Sequence, residues 1–190
     1  MTEQKILVDG PERLLYFPTE FSFLNIEKLI AAIPWRQNDI RIFGKTHPEP
    51  RLTAWCGPAY QYSNIRWEET PWITELESIR KTLIATMGFE FNAVLCNLYR
   101  DGNDSMGWHS DDEKEIDSHL IASISLGEAR KFNFRNKKDK KSGSIELKHG
   151  SLLLMEEFQE NWQHSVPKSK KVINPRMNLT FRRIVTEKRP

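Results

Sequence analysis

From Phe91 onward the chain is a succession of short runs rich in β-forming residues, and this limits its architecture more than any other feature. FNAVLCNLY, LIASISL, RKFNFRN, SIELK, SLLLM and MNLTFRRI follow one another, separated by DGND, GEA, KKSG and KHG. Branched and aromatic side chains suit a pleated surface, whereas Gly, Asn, Asp and Ser suit the turns between strands. Successive short strands at this spacing predict a β-sandwich, jelly roll or barrel.

The first half reads differently. FSFLNIEKLIAAI places Phe23, Ile26, Ile30 and Ile33 at helical spacing and ends at Pro34. WITELESIRKTLIATMG does the same with Ile73, Leu76, Ile79, Leu83 and Met87, with Pro71 at its start and Gly88 as the expected C-cap. Between them, residues 39–66 are punctuated by Pro and Gly, with DIRIF and AYQYS as extended candidates in hairpins and loops. No internal repeat is present. The expected fold class is α+β, mainly β: one domain over residues 1–190, with helices packed against a C-terminal β-structure.

Composition agrees with a globule. The chain has 190 residues, 38% hydrophobic and 28% charged, with a formal net charge of only +2, which argues against disorder and does not by itself suggest a nucleic-acid binder. No apolar run approaches the ~18 residues of a membrane helix. MTEQKILVDG lacks the pattern of a secretory signal. Two cysteines, Cys56 and Cys96, are too few for a disulfide framework or a cysteine zinc cluster. The expectation is an intracellular protein with reduced thiols, Cys96 being a small core residue.

Trp108-His109-Ser110-Asp111 carries the first chemical signal. In an extended segment residues i and i+2 point to one side, so His109 and Asp111 can offer an imidazole and a carboxylate to one point. His164 in NWQHSVP is a third candidate. Two histidines and one carboxylate leave coordination positions open, as in non-haem iron(II) oxygenases. An H-x-D triplet alone is also common in solvated loops, and His119 and His149 read as ordinary surface or hydrogen-bonded residues. Trp108 reads as a packing residue beside the metal.

The second signal is alternation in NPRMNLTFRRI. Arg176, Asn178, Thr180 and Arg182 share one strand face, and Met177, Leu179 and Phe181 share the other. Guanidinium groups facing inward need anionic partners, and arginine suits bidentate binding of a carboxylate. The same parity puts Asn97 and Tyr99 on one face with Ala93 and Leu95. Arg182 and Arg183 as an exposed basic pair is the competing reading.

N-L-Y, H-x-D, H-S-x-P and P-R-x-N-L-T-F-R occur in that order, and this set resembles the AlkB family of Fe(II)- and 2-oxoglutarate-dependent dioxygenases, especially members that repair alkylated DNA. The resemblance is clear from about Phe91 to Ile184 and extends to about Arg41. It implies a double-stranded β-helix (jelly roll) over residues 91–184 as the catalytic core, with helices and a nucleotide-recognition lid in residues 1–90. It implies that His109, Asp111 and His164 hold the iron and that Asn97, Tyr99, Arg176, Thr180 and Arg182 line the 2-oxoglutarate site. Arg176 and Tyr99 would hold the distal carboxylate, with Asn97 and Arg182 nearer the metal. The implied reaction uses Fe(II), 2-oxoglutarate and O2 to demethylate 1-methyladenine or 3-methylcytosine in DNA, releasing formaldehyde, succinate and carbon dioxide.

A base inside a duplex must be flipped out or met in a single strand. Arg41-Ile42-Phe43-Gly44-Lys45 resembles the hairpin finger of duplex-acting members, with Phe43 as the wedge. Tyr60 and Tyr62 resemble the aromatic positions facing the flipped base, and Asp112 and Glu113 are candidates for its exocyclic amine. Ordinary packing or surface roles compete for each. The small net charge conceals segregation: residues 130–148 hold eight basic and two acidic residues, net +6, whereas residues 101–117 are net −6. The basic loop suits phosphates, or is simply a solvated turn. The expected partner is alkylated DNA, double- or single-stranded, met by a monomer without membrane association, in the cytoplasm or nucleus. An RNA demethylase on the same scaffold and a non-catalytic nucleic-acid-binding module are the alternatives.

Overall fold

In chain order the elements are β1 (Lys5–Val8), β2 (Arg13–Phe17), α1 (Ile26–Ala32), β3 (Asp39–Ile42), β4 (Lys45–Pro48), β5 (Leu52–Cys56), β6 (Tyr60–Tyr62), β7 (Ile65–Trp67), α2 (Thr74–Met87), β8 (Ala93–Tyr99), β9 (Met106–His109), β10 (Ile116–Gly127), β11 (Arg130–Asn136), β12 (Ser142–Leu147), β13 (Ser151–Glu156), β14 (Trp162–Val166) and β15 (Arg176–Ile184). They come from a computed structural model that describes residues 4–42, 44–62, 65–171 and 174–185, and of these leaves undescribed the side chains of residues 41, 42, 60–62, 65 and 66.

The strands form a seven-stranded sheet, β1-β2-β13-β10-β15-β8-β5, and a four-stranded sheet, β12-β11-β14-β9. Every neighbouring pair for which a register is defined is antiparallel. This is the jelly-roll arrangement. Two separate hairpins, β3-β4 and β6-β7, stand outside both sheets.

The large sheet is buried on both faces, which is why its strands read as nearly continuous apolar runs. Leu15, Phe17, Leu152, Leu154, Met177, Leu179 and Phe181 pack on one side with Leu29 of α1 and Leu76, Ile79 and Leu83 of α2. The alternate residues Leu14, Tyr16, Leu153 and Met155 join Phe132, Phe134, Trp162 and Val166 of the small sheet in a second core between the sheets. On β15 this inner face carries Arg176, Asn178, Thr180 and Arg182 in place of apolar residues, and a pocket opens there. Cys96 is fully buried on the helix side, as expected.

The helices start later than their apolar spacing suggests. Asn25 caps α1 by accepting the Lys28 N–H at 2.8 Å, so Phe23 lies before the helix and is 72% exposed. Ile73 is the N-cap of α2, and Gly88 ends that helix at φ 63°, donating its N–H to Ile84 O at 2.9 Å. The strands β1 and β2 were not anticipated from the sequence; β2 pairs with β13 and extends the large sheet. Among the described residues no helix is long and apolar enough to cross a membrane.

Candidate metal centre and co-substrate pocket

β9 is the edge strand of the small sheet and pairs with β14, with His109 opposite His164. Their rings lie 4.2 Å apart at 60°. Asp111 follows two residues beyond His109, and the three side chains bring potential ligand atoms within 4.8 Å of one another. These are the three residues singled out from H-x-D and the downstream histidine.

The ring nitrogens of His109 can be told apart. Nδ1 lies 2.9 Å from Gly107 O, and a carbonyl only accepts, so Nδ1 carries the proton. Nε2 then presents its lone pair, 3.8 Å from Asp111 Oδ1. His164 is buried with Nδ1 lacking a hydrogen-bond partner, and burial followed by the field of His109 holds its pKa down to about 3. Burial likewise keeps His109 neutral. Burial alone would raise the Asp111 carboxyl, but the Arg182 guanidinium, 2.8 Å from Oδ1, outweighs it and holds it below the usual range. Two neutral imidazoles and one ionised carboxylate are the protonation states that a divalent metal requires. The donor set fits the two-histidine, one-carboxylate site of non-haem iron.

The pocket continues inward along β8 and β15, where Asn97, Tyr99, Arg176, Thr180 and Arg182 all line it. The alternation read from the sequence therefore places all five on one cavity wall. Arg176 is buried and spends Nη2 on Ser125 Oγ at 2.8 Å, with Nε and Nη1 left without a hydrogen-bond partner. Its Cζ lies 5.0 Å from the centre of the Tyr99 ring. Burial pushes the guanidinium pKa down, and Tyr99 offsets this in part. Among the described residues no carboxylate forms an ion pair with it, so the cavity holds a buried cation suited to an anionic ligand. Thr180 Oγ1 donates to Asn178 Oδ1 at 2.9 Å, and Asn178 Nδ2 donates to Ser123 Oγ at 2.7 Å, which fixes the polar wall.

Three further residues escaped the sequence reading. Arg51 is buried and donates through Nε to Asn97 Oδ1 and through Nη2 to Glu49 Oε1, each at 2.8 Å. With Oδ1 so occupied, the Asn97 amide has its NH2 group to offer elsewhere. Gln159, fully buried in the turn before β14, accepts the Asp111 N–H through Oε1 at 3.0 Å. No local pattern signals these residues, because each matters only through a partner distant in sequence.

The substrate candidates are less complete. Phe43 lies outside the described residues, as do the side chains of Tyr60 and Tyr62, whose backbones form β6. Gly44 turns the β3-β4 hairpin at φ 78°, and Lys45 opens β4 as an exposed residue. Asp112 is exposed and pairs with Lys137 Nζ at 3.0 Å, so the acidic and basic segments meet beside the pocket. Glu113 is half-buried. His119 pairs with Glu157 and His149 lies in a turn, both apart from the metal cluster. Trp108 is 41% exposed, contrary to the expectation that it packs beside the metal: on β9 it points away from the pocket that Met106 and His109 line.

Residues 16–182 match the 2OG-Fe(II) oxygenase superfamily. The chain is 40% identical over 177 residues to alpha-ketoglutarate-dependent dioxygenase alkB homolog 3 from Mus musculus, covering 86% of this chain and 62% of that one. It is 41% identical over 180 residues to DNA oxidative demethylase ALKBH2 from Homo sapiens, covering 88% of this chain and 69% of that one. It thus spans about three fifths of the length of the alkB homolog 3 proteins it matches, 60–62%. The solved structure of OsALKBH1 superposes with a TM-score of 0.61 at 16% identity, covering 94% of this chain and all of that one, which shows a shared fold.

Proposed function

The chain belongs to the AlkB family of the 2OG-Fe(II) oxygenase superfamily, and from that premise we propose that it is an oxidative demethylase of alkylated bases in DNA. Its substrates on this reading are 1-methyladenine and 3-methylcytosine, and its products are the repaired base, formaldehyde, succinate and carbon dioxide. The observation that carries it is the neutral-His, neutral-His, ionised-Asp cluster opening onto a pocket with a buried, carboxylate-free Arg176.

Iron(II) bound with 2-oxoglutarate and O2 supplies an oxidant able to hydroxylate a methyl carbon on a base nitrogen. The protein's own groups do the rest. His109, Asp111 and His164 would hold the metal and leave positions open. Arg176 and Tyr99 would receive the distal carboxylate, with Asn97, Thr180 and Arg182 on the same wall. Apolar residues of the inter-sheet core exclude water from the pocket.

Residues 91–184 serve as the catalytic core and residues 1–90 as helices and recognition lid. The hairpin carrying Phe43, Gly44 and Lys45 opens the stack, and Tyr60 and Tyr62 face the flipped base. Asp112 and Glu113 meet its exocyclic amine, Asp112 by giving up its ion pair with Lys137, and the basic loop takes phosphates. The protein acts as a monomer in the cytoplasm or nucleus.

The test supplies the protein with Fe(II) and 2-oxoglutarate and compares methylated duplex DNA, single-stranded DNA and RNA, following formaldehyde and succinate. Demethylation of DNA is expected to be fastest. Faster turnover on RNA would replace DNA by RNA as the substrate, and no turnover with no iron bound would leave only a nucleic-acid-binding module.

A further inference from the structure

Trp108 stands next to the metal ligand His109, on the outer face of the small sheet's edge strand, and is 41% exposed. Its indole is held in place: Arg135 Cζ lies 4.2 Å from the ring centre. Arg135 is itself anchored, with Nε and Nη2 donating to Gln163 Oε1 at 3.1 and 2.9 Å across the β11-β14 pair. Gly107 beside the indole adds no side chain, and the space at its Cβ position is open.

The surface around this pair is cationic. Lys131 and Arg135 are exposed on the same face of β11, and Lys137 and Lys138 follow at its end. The acidic residue facing them on the neighbouring strand is Glu146, opposite Lys131. Lys137 is paired with Asp112.

We propose that Trp108 and Arg135 form a stacking subsite for the unpaired base next to the target base in a single-stranded nucleic acid. This rests on the reading of the protein as a nucleic-acid demethylase and specifies how it holds one substrate form. A flat exposed ring takes the face of any base, and a guanidinium beside it meets the adjoining phosphate. The position suits a neighbour of the target, because the backbone of β9 places His109 at the reacting centre and Trp108 one residue away on the opposite face. In a duplex the neighbouring base stays within its own stack and gains little from the indole. The subsite therefore favours single strands, in contrast to the wedge role of the hairpin finger.

The test uses the full chain loaded with Mn(II) and 2-oxoglutarate, so that binding is read without turnover. Affinity is measured by fluorescence anisotropy for single-stranded and duplex oligonucleotides carrying one 3-methylcytosine. Trp108→Ala is expected to weaken single-strand binding about tenfold and duplex binding less than about threefold, with Trp108→Phe close to the parent. Arg135→Gln is expected to weaken single-strand binding and reduce its salt slope by about 0.7. Single-strand affinity unchanged in Trp108→Ala, or an equal loss on both forms, overturns the subsite.

If the alanine variant does not fold, Trp108→Phe and Trp108→Leu decide. Retention by phenylalanine with loss by leucine supports stacking, and equal affinities overturn it. A parent protein that binds Mn(II) and 2-oxoglutarate but no alkylated oligonucleotide instead sinks the nucleic-acid reading, and the subsite with it.

Discussion

Arg182 Nη2 donates to Asp111 Oδ1 at 2.8 Å, with 3% and 2% of the two side chains exposed. The pair joins β15, which lines the pocket, to the carboxylate of the candidate metal cluster. A charge placed on one is therefore felt at the other, and the same arginine that faces the pocket keeps the carboxylate ionised. Arg182→Met is expected to destabilise the metal-free protein by about 3–5 kcal/mol, because it leaves a buried carboxylate without its cation. Divalent metal then substitutes for part of the lost charge. Melts with and without Mn(II) should show a larger metal-induced rise in Tm for the variant; equal rises would detach Arg182 from the metal site.

Arg51 couples the base of the β3-β4 hairpin to the pocket wall at Asn97, a candidate 2-oxoglutarate residue. Glu49 N donates to Asn38 O at 2.8 Å, and Gln37 Nε2 donates to Glu49 O at 2.8 Å, so the hairpin closes on the residue that Arg51 pairs with. Arg51→Met is expected to weaken 2-oxoglutarate binding about tenfold by freeing the Asn97 amide to rotate, and to destabilise the fold by about 3 kcal/mol through the orphaned Glu49. Adding Glu49→Gln removes the stranded charge. Stability should then recover while 2-oxoglutarate affinity stays low. Calorimetric titration and urea unfolding measure the two separately, and their recovery together would refute the positioning role.

What the sequence made legible follows from what each signal depends on. The wall formed by Arg176, Thr180 and Arg182 follows from a period of two, a local property of any strand, and His109 with Asp111 follows from the same rule. The third member of the candidate metal cluster, His164, lies far downstream, and only the ordered motif set ties it to His109 and Asp111. Arg51, Glu49 and Gln159 carry no such mark, since a buried polar residue is recognisable only by the partner that satisfies it. Strand parity with His109 already puts Trp108 on the opposite face of β9; that this face of an edge strand is left exposed depends on what packs against the sheet, which the local sequence does not carry. The late helix starts trace to Asn25 and Ile73, where cap geometry overrides apolar spacing. Strands β1 and β2 are short, and their place in the large sheet depends on pairing with distant β13.

Asp104 gives a pH dependence away from the metal. It accepts the Arg100 N–H and two guanidinium hydrogen bonds, each at 2.8 Å. Burial alone would raise its pKa, but the contacts with Arg100 outweigh this and hold it below the usual carboxylate range. A depressed folded pKa means stability that is present above the unfolded carboxylate pKa of about 4 and is lost as pH falls through the folded value. Asp104→Asn is expected to cost about 1–2 kcal/mol at pH 7, the half-exposed Arg100 limiting the gain from the pair. The deficit should shrink as pH falls below the unfolded carboxylate pKa of about 4 in urea unfolding experiments, and a deficit independent of pH would contradict the assignment.

Gln159 tests how Asp111, a candidate metal ligand, is aimed. Its side chain is fully buried, with Oε1 on the Asp111 N–H at 3.0 Å and Nε2 against Met155 Sδ at 3.3 Å, and its own carbonyl accepts from Lys137 Nζ at 3.0 Å. The turn that carries it therefore fixes the backbone of the ligand loop from behind. Gln159→Met fills similar volume but cannot accept the N–H, leaving a buried donor unsatisfied. Partners of this kind typically govern metal affinity by 10–100-fold. Mn(II) affinity measured by electron paramagnetic resonance is expected to fall by at least about tenfold, with far-UV circular dichroism unchanged. Gln159→Glu keeps an oxygen acceptor at the same reach and should retain most of the affinity, while the carboxylate it buries lowers fold stability by about 3–5 kcal/mol. Loss of equal size in both variants would show that the turn needs the amide for packing and that the hydrogen bond to Asp111 does not orient the ligand.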